Sequence, residues 1–367
     1  MTAASTGSAE RLDRVRRAMT EQGVDVLLVS VGRDLPYLTG YEAMPLERLT
    51  MLVVPREGDA TMVVPRLEAP RVVKQPDVFR LRPWEETEDP SAIVAELAGP
   101  AGTVAVGDQM WARFLVELLA LLPRATFRRA VDVVGPLRMV KDAAEIAALR
   151  AASAGADRVA VQLHAGDIQL IGRTEADVSA DIGRRLIAEG HDKVNFAIVA
   201  AGENAASPHH HAGPRVIGEG EIVLCDFGGT MDGYCSDITR CVVTGDVPAD
   251  IAEAYAVLHE AQQAGVAAST VGTPCQDVDR VGRAIIAAAG FGDFFVHRTG
   301  HGIGMEEHED PYIVEGNGRP LEAGHAFSVE PGIYLPGRWG MRLEDIVVAT
   351  DDGPDPLNAA DHDLIQV

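Results

Sequence analysis

The sequence predicts an α+β protein in two parts, an α/β domain over residues 1–134 and an α+β domain over 135–367. Three observations lead there. The 367 residues exceed the usual size of one domain. Helix and strand signals alternate through the first part, while the second carries them in mixed order. Apolar residues make up 47% of the chain and charged residues 24%, the balance of a globular protein with a sizeable core.

The elements follow in order. RLDRVRRAMTEQG (11–23) has the spacing of a short amphipathic helix ended by Gly23, and VDVLLVSV (24–31) has the apolar run of a buried strand. LTMLVVP (49–55) and ATMVVP (60–65) predict two strands joined by the turn REGD. AIVAELAG and FLVELLALL predict helices on either side of a strand, TVAVGD (103–108). The domain boundary is placed near Gly135–Pro136. Residues 138–166 then have the apolar spacing of one long helix. Thr174, with Asp177 three residues later, is an N-cap that opens a helix running to Leu186. Strands are expected at 196–202 and 221–229, and helices at 248–268 and 273–290, the last with Pro274 in its first turn and Gly290 at its end. GHGIG, AFSVEPGIYL and MRLEDIVVA supply further strand and loop, so the second domain should carry a curved, largely antiparallel sheet.

Charge and composition narrow the function. Lys and Arg total 32 against 55 Asp and Glu, a net charge of −23. That opposes a nucleic-acid surface, which needs a basic patch. The N-terminus has no apolar run of signal-peptide length and no stretch reaches that of a membrane span, so a cytoplasmic protein without membrane contact is expected. The four cysteines, Cys225, Cys235, Cys241 and Cys275, form no C-x-x-C pair. Their expected role is as small buried residues, with soft-metal ligation the alternative. The DFG at 226–228 has a protein kinase's letters but not its context: no G-x-G-x-x-G precedes it, and the HR at 297–298 follows it and continues as TG.

Asp226 instead belongs with Asp237, across a turn in LCDFGGTMDGYCSDITRC. A hairpin centred on Met231–Asp232 sets residue 226 opposite 237; one centred on Asp232–Gly233 offsets them by two. Either register puts both carboxylates on one sheet face. Side by side they repel unless a positive charge lies between them. His301 in TGHGIG, Glu330 in FSVEPGIY and Glu344 in MRLEDIVV also sit in apolar, strand-like settings. Each acid taken alone could equally be an ordinary exposed residue. Taken together, four carboxylates and one imidazole suit two divalent ions such as manganese, cobalt or zinc, which share bridging carboxylates and hold a hydroxide.

These residues bring a resemblance into view. D-x-G, a second Asp eleven residues on before TR, then GHG-x-G, EPG-x-Y and R-x-E-D are all present in order, as Asp226 in DFG, Asp237 in SDITR, His301 in GHGIG, Glu330 in EPGIY and Glu344 in RLED. Over nearly its whole length the sequence resembles the pita-bread metallopeptidases, among them the Xaa-Pro dipeptidases (prolidases). The resemblance implies a creatinase-like N-terminal domain, a pita-bread catalytic domain and a homodimer. It implies that Asp226 chelates one metal, that Asp237 and Glu344 bridge two, and that His301 and Glu330 complete the other site, with Glu330 also moving a proton. Thr239 and Asp345 would orient ligands. His209, seventeen residues before Asp226, would touch the substrate near the scissile amide. His308, seven residues after His301, would bond the carbonyl oxygen as it becomes tetrahedral.

Other polar residues have plainer expectations. His210 and His211 are expected to face solvent, a metal-binding histidine tract being the alternative. His259, His297, His325 and His362 are expected at the surface or in the core. Arg342, two residues before Glu344, is the candidate reader of a proline carboxylate. Arg319 is a weaker one. The expected activity is hydrolysis of Xaa-Pro dipeptides by a metal-bridging hydroxide. An Xaa-Pro aminopeptidase acting on longer peptides is the alternative, and a C–N hydrolase of a small non-peptide substrate a lesser one.

Overall fold

The fold is that of a computed structural model, which describes residues 3–367. The chain divides into two compact units, Met1–Arg138 and Met139–Val367.

The first unit runs α1 (Ala3–Gln22), β1 (Val26–Val29), α2 (Asp34–Thr39), β2 (Met51–Pro55), β3 (Ala60–Pro65), β4 (Phe79–Trp84), α3 (Pro90–Ala98), β5 (Thr103–Val106), α4 (Ala112–Leu121), β6 (Thr126–Arg129) and α5 (Val131–Met139). Its six strands form one mixed sheet, ordered β4-β3-β2-β1-β5-β6. Val26, Leu28, Met51, Val53 and Val63 from its central strands pack with Val94, Phe114 and Leu118 of α3 and α4. The expected boundary near Gly135–Pro136 lies close to the division between the two units. Both residues lie inside α5, and the division falls after Arg138. Pro136 has no N–H for the carbonyl of Asp132. The Gln22 side-chain amide donates to that oxygen instead, at 2.9 Å, which lets the helix run through.

The second unit continues with α6 (Ala143–His164), α7 (Glu175–Ala188), β7 (Lys193–Ala201), β8 (Ile222–Met231), β9 (Tyr234–Cys235), β10 (Ile238–Val243), α8 (Ala249–Ala268) and α9 (Cys275–Ala288). It ends with β11 (Gly300–Gly302), β12 (Glu309–Ile313), β13 (Ala326–Val329), β14 (Gly332–Leu335), β15 (Trp339–Arg342), β16 (Asp345–Thr350), β17 (Gly353–Pro356) and β18 (Ile365–Gln366). The expected helix over 138–166 starts only at Ala143, where Asp142 and Glu145 form a capping box. Thr174 caps α7 as expected, its hydroxyl accepting from the Asp177 amide at 3.1 Å.

The strands do not make the single sheet that the sequence led us to expect. They form one sheet ordered β18-β10-β8-β7, with β9 on β8, a second ordered β12-β11-β13-β16-β17, and the hairpin β14-β15. All pairings in this unit are antiparallel except β10 with β18. Alternation along β8 sorts its side chains. Val223, Cys225 and Phe227 pack with α6 and α7 residues such as Val159, Leu163, Val178 and Ile182. Ile222 and Leu224 face the other way, into a core with Leu258 of α8, Ile286 of α9, and Ile333 and Met341 of the hairpin. Asp226 continues that second row. All four cysteines are buried and unbridged.

Candidate active site

The hairpin between β8 and β10 turns on Asp232–Gly233, at φ 50° and 84°. Positive φ at both central residues is the geometry of the tight turn that matches strand twist. It selects the second of the two possible registers: Thr239 lies opposite Asp226, and Asp237 two residues on. Period-two alternation therefore puts Asp226, Asp237 and Thr239 on one face.

The other sheet delivers its acids by the same logic. Val329 pairs with Asp345, so the next step along both chains sets Glu330 opposite Glu344 at the ends of β13 and β16. His301 lies in β11, its amide donating a 3.0 Å bond to the Ser328 hydroxyl oxygen of the neighbouring β13. A backbone bridge between Thr239 and Glu344 joins the two sheets where the five side chains meet. Gly300 makes the approach possible. A Cβ there would stand 1.8 Å from the carbonyl oxygen of Ser328, so any side chain would push β11 off β13.

The five residues line one cavity of roughly 580 Å³ with Phe196, Ile198, Pro208, His209, His297, Arg298, Glu307, His308 and Arg342. Asp226, Asp237, His301 and Glu344 are at most 6% exposed. His301 Nε2 stands 3.3 Å from Glu330 Oε1 and 3.8 Å from Asp237 Oδ2. Asp237, His301 and Glu344 each offer an atom within 4.8 Å of the others, a spacing at which they could hold a metal ion.

Asp226 is held on one side only. Its Oδ2 accepts from Arg342, while Oδ1 is buried with no partner. An orphaned carboxylate oxygen pointing into a pocket of acids is costly unless a cation satisfies it. Burial, followed by repulsion from neighbouring carboxylates, pushes Asp237 and Glu344 well above the usual carboxylate range. Burial likewise raises Glu330, to about 7 against the pull of Arg342. Burial holds His301 well below the ordinary imidazole value, so it is a neutral donor. Oxygen-rich, buried, net negative and supplied with one neutral imidazole, this donor set fits hard or borderline divalent ions.

Thr239 and Asp345 brace the cluster from outside. The Thr239 hydroxyl donates to Glu344 Oε2 at 2.7 Å and accepts from Arg342 Nε at 3.1 Å. Asp345 points away from the cavity, to Arg240, Gln262 and His362. Thr239→Val is expected to lower metal affinity or activity by about 10- to 100-fold, because Glu344 then loses the donor that orients it. Titration of the stripped variant with manganese measures this.

The histidines divide differently from expectation. His209 and His308 both reach the cavity, and the His308 ring sits 4.0 Å from that of His301, centroid to centroid. His210 does not face solvent: its Nε2 lies 2.8 Å from Glu175. Glu175, fully buried, also accepts from the backbone of Ala201 and Gly213 and from Asn204, which pins the loop carrying His209. His297 also departs from expectation, since it lines the cavity, with Nε2 2.9 Å from the Tyr334 hydroxyl. His362 bonds Asp345. Tyr334 was not singled out, though it is the Tyr of EPGIY. It takes a 2.7 Å bond from Arg342. Arg319 is exposed and away from the cavity.

The chain matches Metallopeptidase family M24 over residues 143–351 and the Creatinase/Prolidase N-terminal domain over 11–140. It is 44% identical over 367 residues to the probable dipeptidase PepE of Mycobacterium tuberculosis, covering 98% of this chain and 96% of that one. It is 36% identical to an Xaa-Pro dipeptidase of Lactobacillus helveticus, covering 96% and 98%. The crystal structure of dipeptidase PepE from Mycobacterium ulcerans superposes with a TM-score of 0.93 at 45% identity, over 99% of this chain and 98% of that one.

Proposed function

The chain belongs to metallopeptidase family M24, with a creatinase-type N-terminal domain and a pita-bread catalytic domain, and from that premise we propose that it hydrolyses Xaa-Pro dipeptides. The carrying observation is the buried cluster of four carboxylates and a neutral histidine, with one Asp226 oxygen unsatisfied, at the base of a cavity large enough for a dipeptide. Full-length similarity to a protein named Xaa-Pro dipeptidase supplies the substrate class.

In this reading Asp226, Asp237, His301, Glu330 and Glu344 hold two divalent ions, manganese first among manganese, cobalt and zinc. When bound, such ions supply Lewis acidity and a water ionised near neutral pH. The protein's own groups do the rest. Glu330, 3.3 Å from His301 at the cavity wall, takes a proton and returns it to the departing amine. His308, beside His301 at the cavity wall, donates to the carbonyl oxygen as charge develops on it. His209 contacts the substrate from the loop pinned by Glu175, and Phe196, Ile198 and Pro208 offer an apolar wall to the pyrrolidine ring. Arg342 spends four of a guanidinium's five N–H donors on Asp226, Thr239, Tyr334 and the Pro208 carbonyl. It braces Asp226, so the carboxylate-reading role expected of it has little left to bond with.

His308→Ala is expected to lower kcat by about 10²–10³ with a small change in KM, as for loss of one oxyanion donor. Steady-state kinetics on Ala-Pro checks it. A cytoplasmic setting and a homodimer belong to the same proposal. Four buried free thiols favour a reducing compartment, and light scattering tests the dimer. Among the described residues no helix is long and apolar enough to cross a membrane.

The test is proline release from Gly-Pro, Ala-Pro, Leu-Pro and an Xaa-Pro-Ala tripeptide by protein stripped of metal and reloaded with manganese. Cleavage of the dipeptides alone is expected. Cleavage of the tripeptide as well would move the assignment to an aminopeptidase, and no cleavage with metal bound would overturn the Xaa-Pro reading.

A further inference from the structure

A dipeptide bound in this cavity brings a carboxylate into a wall that is already acidic. Asp226, Asp237, Glu307, Glu330 and Glu344 all line it, and two arginines face them. Arg342 is committed to protein partners, as described above. Arg298 is not. Among the described residues its guanidinium has no carboxylate at ion-pair distance; it lies 4.3 Å above the centre of the Tyr312 ring. It is only partly buried. Stacking on an aromatic face positions a guanidinium while leaving its N–H edge free for a planar anion.

The backbone around Arg298 is fixed on both sides. Arg283 donates to the His297 carbonyl at 2.7 Å, and the Thr299 amide donates to Ile313 at 3.1 Å. Tyr312, in β12, is carried by the strand that pairs with β11, the strand of His301. The stacked pair is therefore held in fixed relation to the metal-site histidine, and the charge of Arg298 acts on Glu330, His301 and His308.

Building on the Xaa-Pro reading, we propose that Arg298, stacked on Tyr312, is the specificity residue that binds the C-terminal carboxylate of the substrate. It is the group that makes a dipeptide, whose carboxylate follows the proline ring directly, preferable to a longer or amidated peptide.

The experiment compares manganese-loaded wild type, Arg298→Met and Arg298→Lys on Ala-Pro and on Ala-prolinamide, which lacks the charge. For Arg298→Met the Ala-Pro over Ala-prolinamide ratio of kcat/KM is expected to fall by about 10- to 100-fold, mainly through KM for Ala-Pro, as for loss of a charge-assisted hydrogen bond. Arg298→Lys should restore part of that ratio. A fall of equal size on both substrates, or no fall on either, would overturn the assignment while leaving the dipeptidase reading intact. Failure of wild type to cleave any Xaa-Pro substrate would overturn both.

Discussion

Asp237→Asn is expected to abolish activity and metal binding while making the metal-free protein more stable. Both effects come from one charge. Asp237 is buried against Glu344, Asp226 and Glu330, and its carboxyl is pushed up first by that burial and then by those neighbours. Such a site is assembled for a cation and is strained without one. Asparagine keeps the shape and removes a repelling charge, but it is a weak metal ligand. The pH dependence has a definite sign. Asp237 and Glu344 are raised well above their ordinary values of 3.8 and 4.5, and Glu330 to about 7. The native metal-free protein thus holds more protons than the unfolded chain, and its stability falls as pH rises from about 4 past 7. Metal reverses the penalty, so the rise in Tm on adding manganese should grow with pH. Calorimetry of stripped and loaded protein at pH 5 and pH 8 checks this. In Asp237→Asn the slope should be shallower and the manganese response absent; equal slopes in variant and wild type would refute the electrostatic account.

The largest loss of stability is expected from Arg240→Met. Arg240 is wholly buried, yet it donates to the carbonyls of Thr239, Glu344, Ala360 and Asp361 and to the carboxylate of Asp345. Asp345 stays below the usual carboxylate range despite burial because His362 and Arg240 hold it. Removing the cation leaves the buried Asp345 carboxylate with only Gln262 and His362, and takes the guanidinium donor from four backbone carbonyls. Breaking a buried pair by deleting one partner costs about 3–5 kcal/mol. The measurement is the urea midpoint, with Arg240→Lys expected to recover little because one ammonium cannot reach five acceptors.

Asp226 and Glu330 were legible as buried charges because each ends an apolar run, whereas the full set of five candidates came from the motifs that resemble the pita-bread metallopeptidases. Asp226 follows IVLC, and Glu330 follows AFSV. The hairpin register was left with two options by the pattern alone. Backbone φ at Asp232 and Gly233 decides it, since both adopt the left-handed geometry of the tight turn. Strands β4 and β6 escaped notice because FRLRPW and TFRR are charged edge segments whose strand state comes from pairing with β3 and β5. His297 and Arg298 were illegible as cavity residues, and Tyr334 as the partner of His297 and Arg342, for a related reason. They come from loops and a hairpin that meet only in the folded unit. The His210–Glu175 contact spans 35 residues, and no local rule links them.

The central claim is that the five side chains hold two divalent ions required for Xaa-Pro cleavage. The most direct test is to titrate stripped protein with manganese, counting bound ions by plasma mass spectrometry while proline release from Ala-Pro is followed in the same samples. The account predicts activity that saturates at two ions per chain in wild type, and neither ions nor activity in Asp237→Asn. Full activity in stripped wild type, or in Asp237→Asn without bound metal, would contradict it.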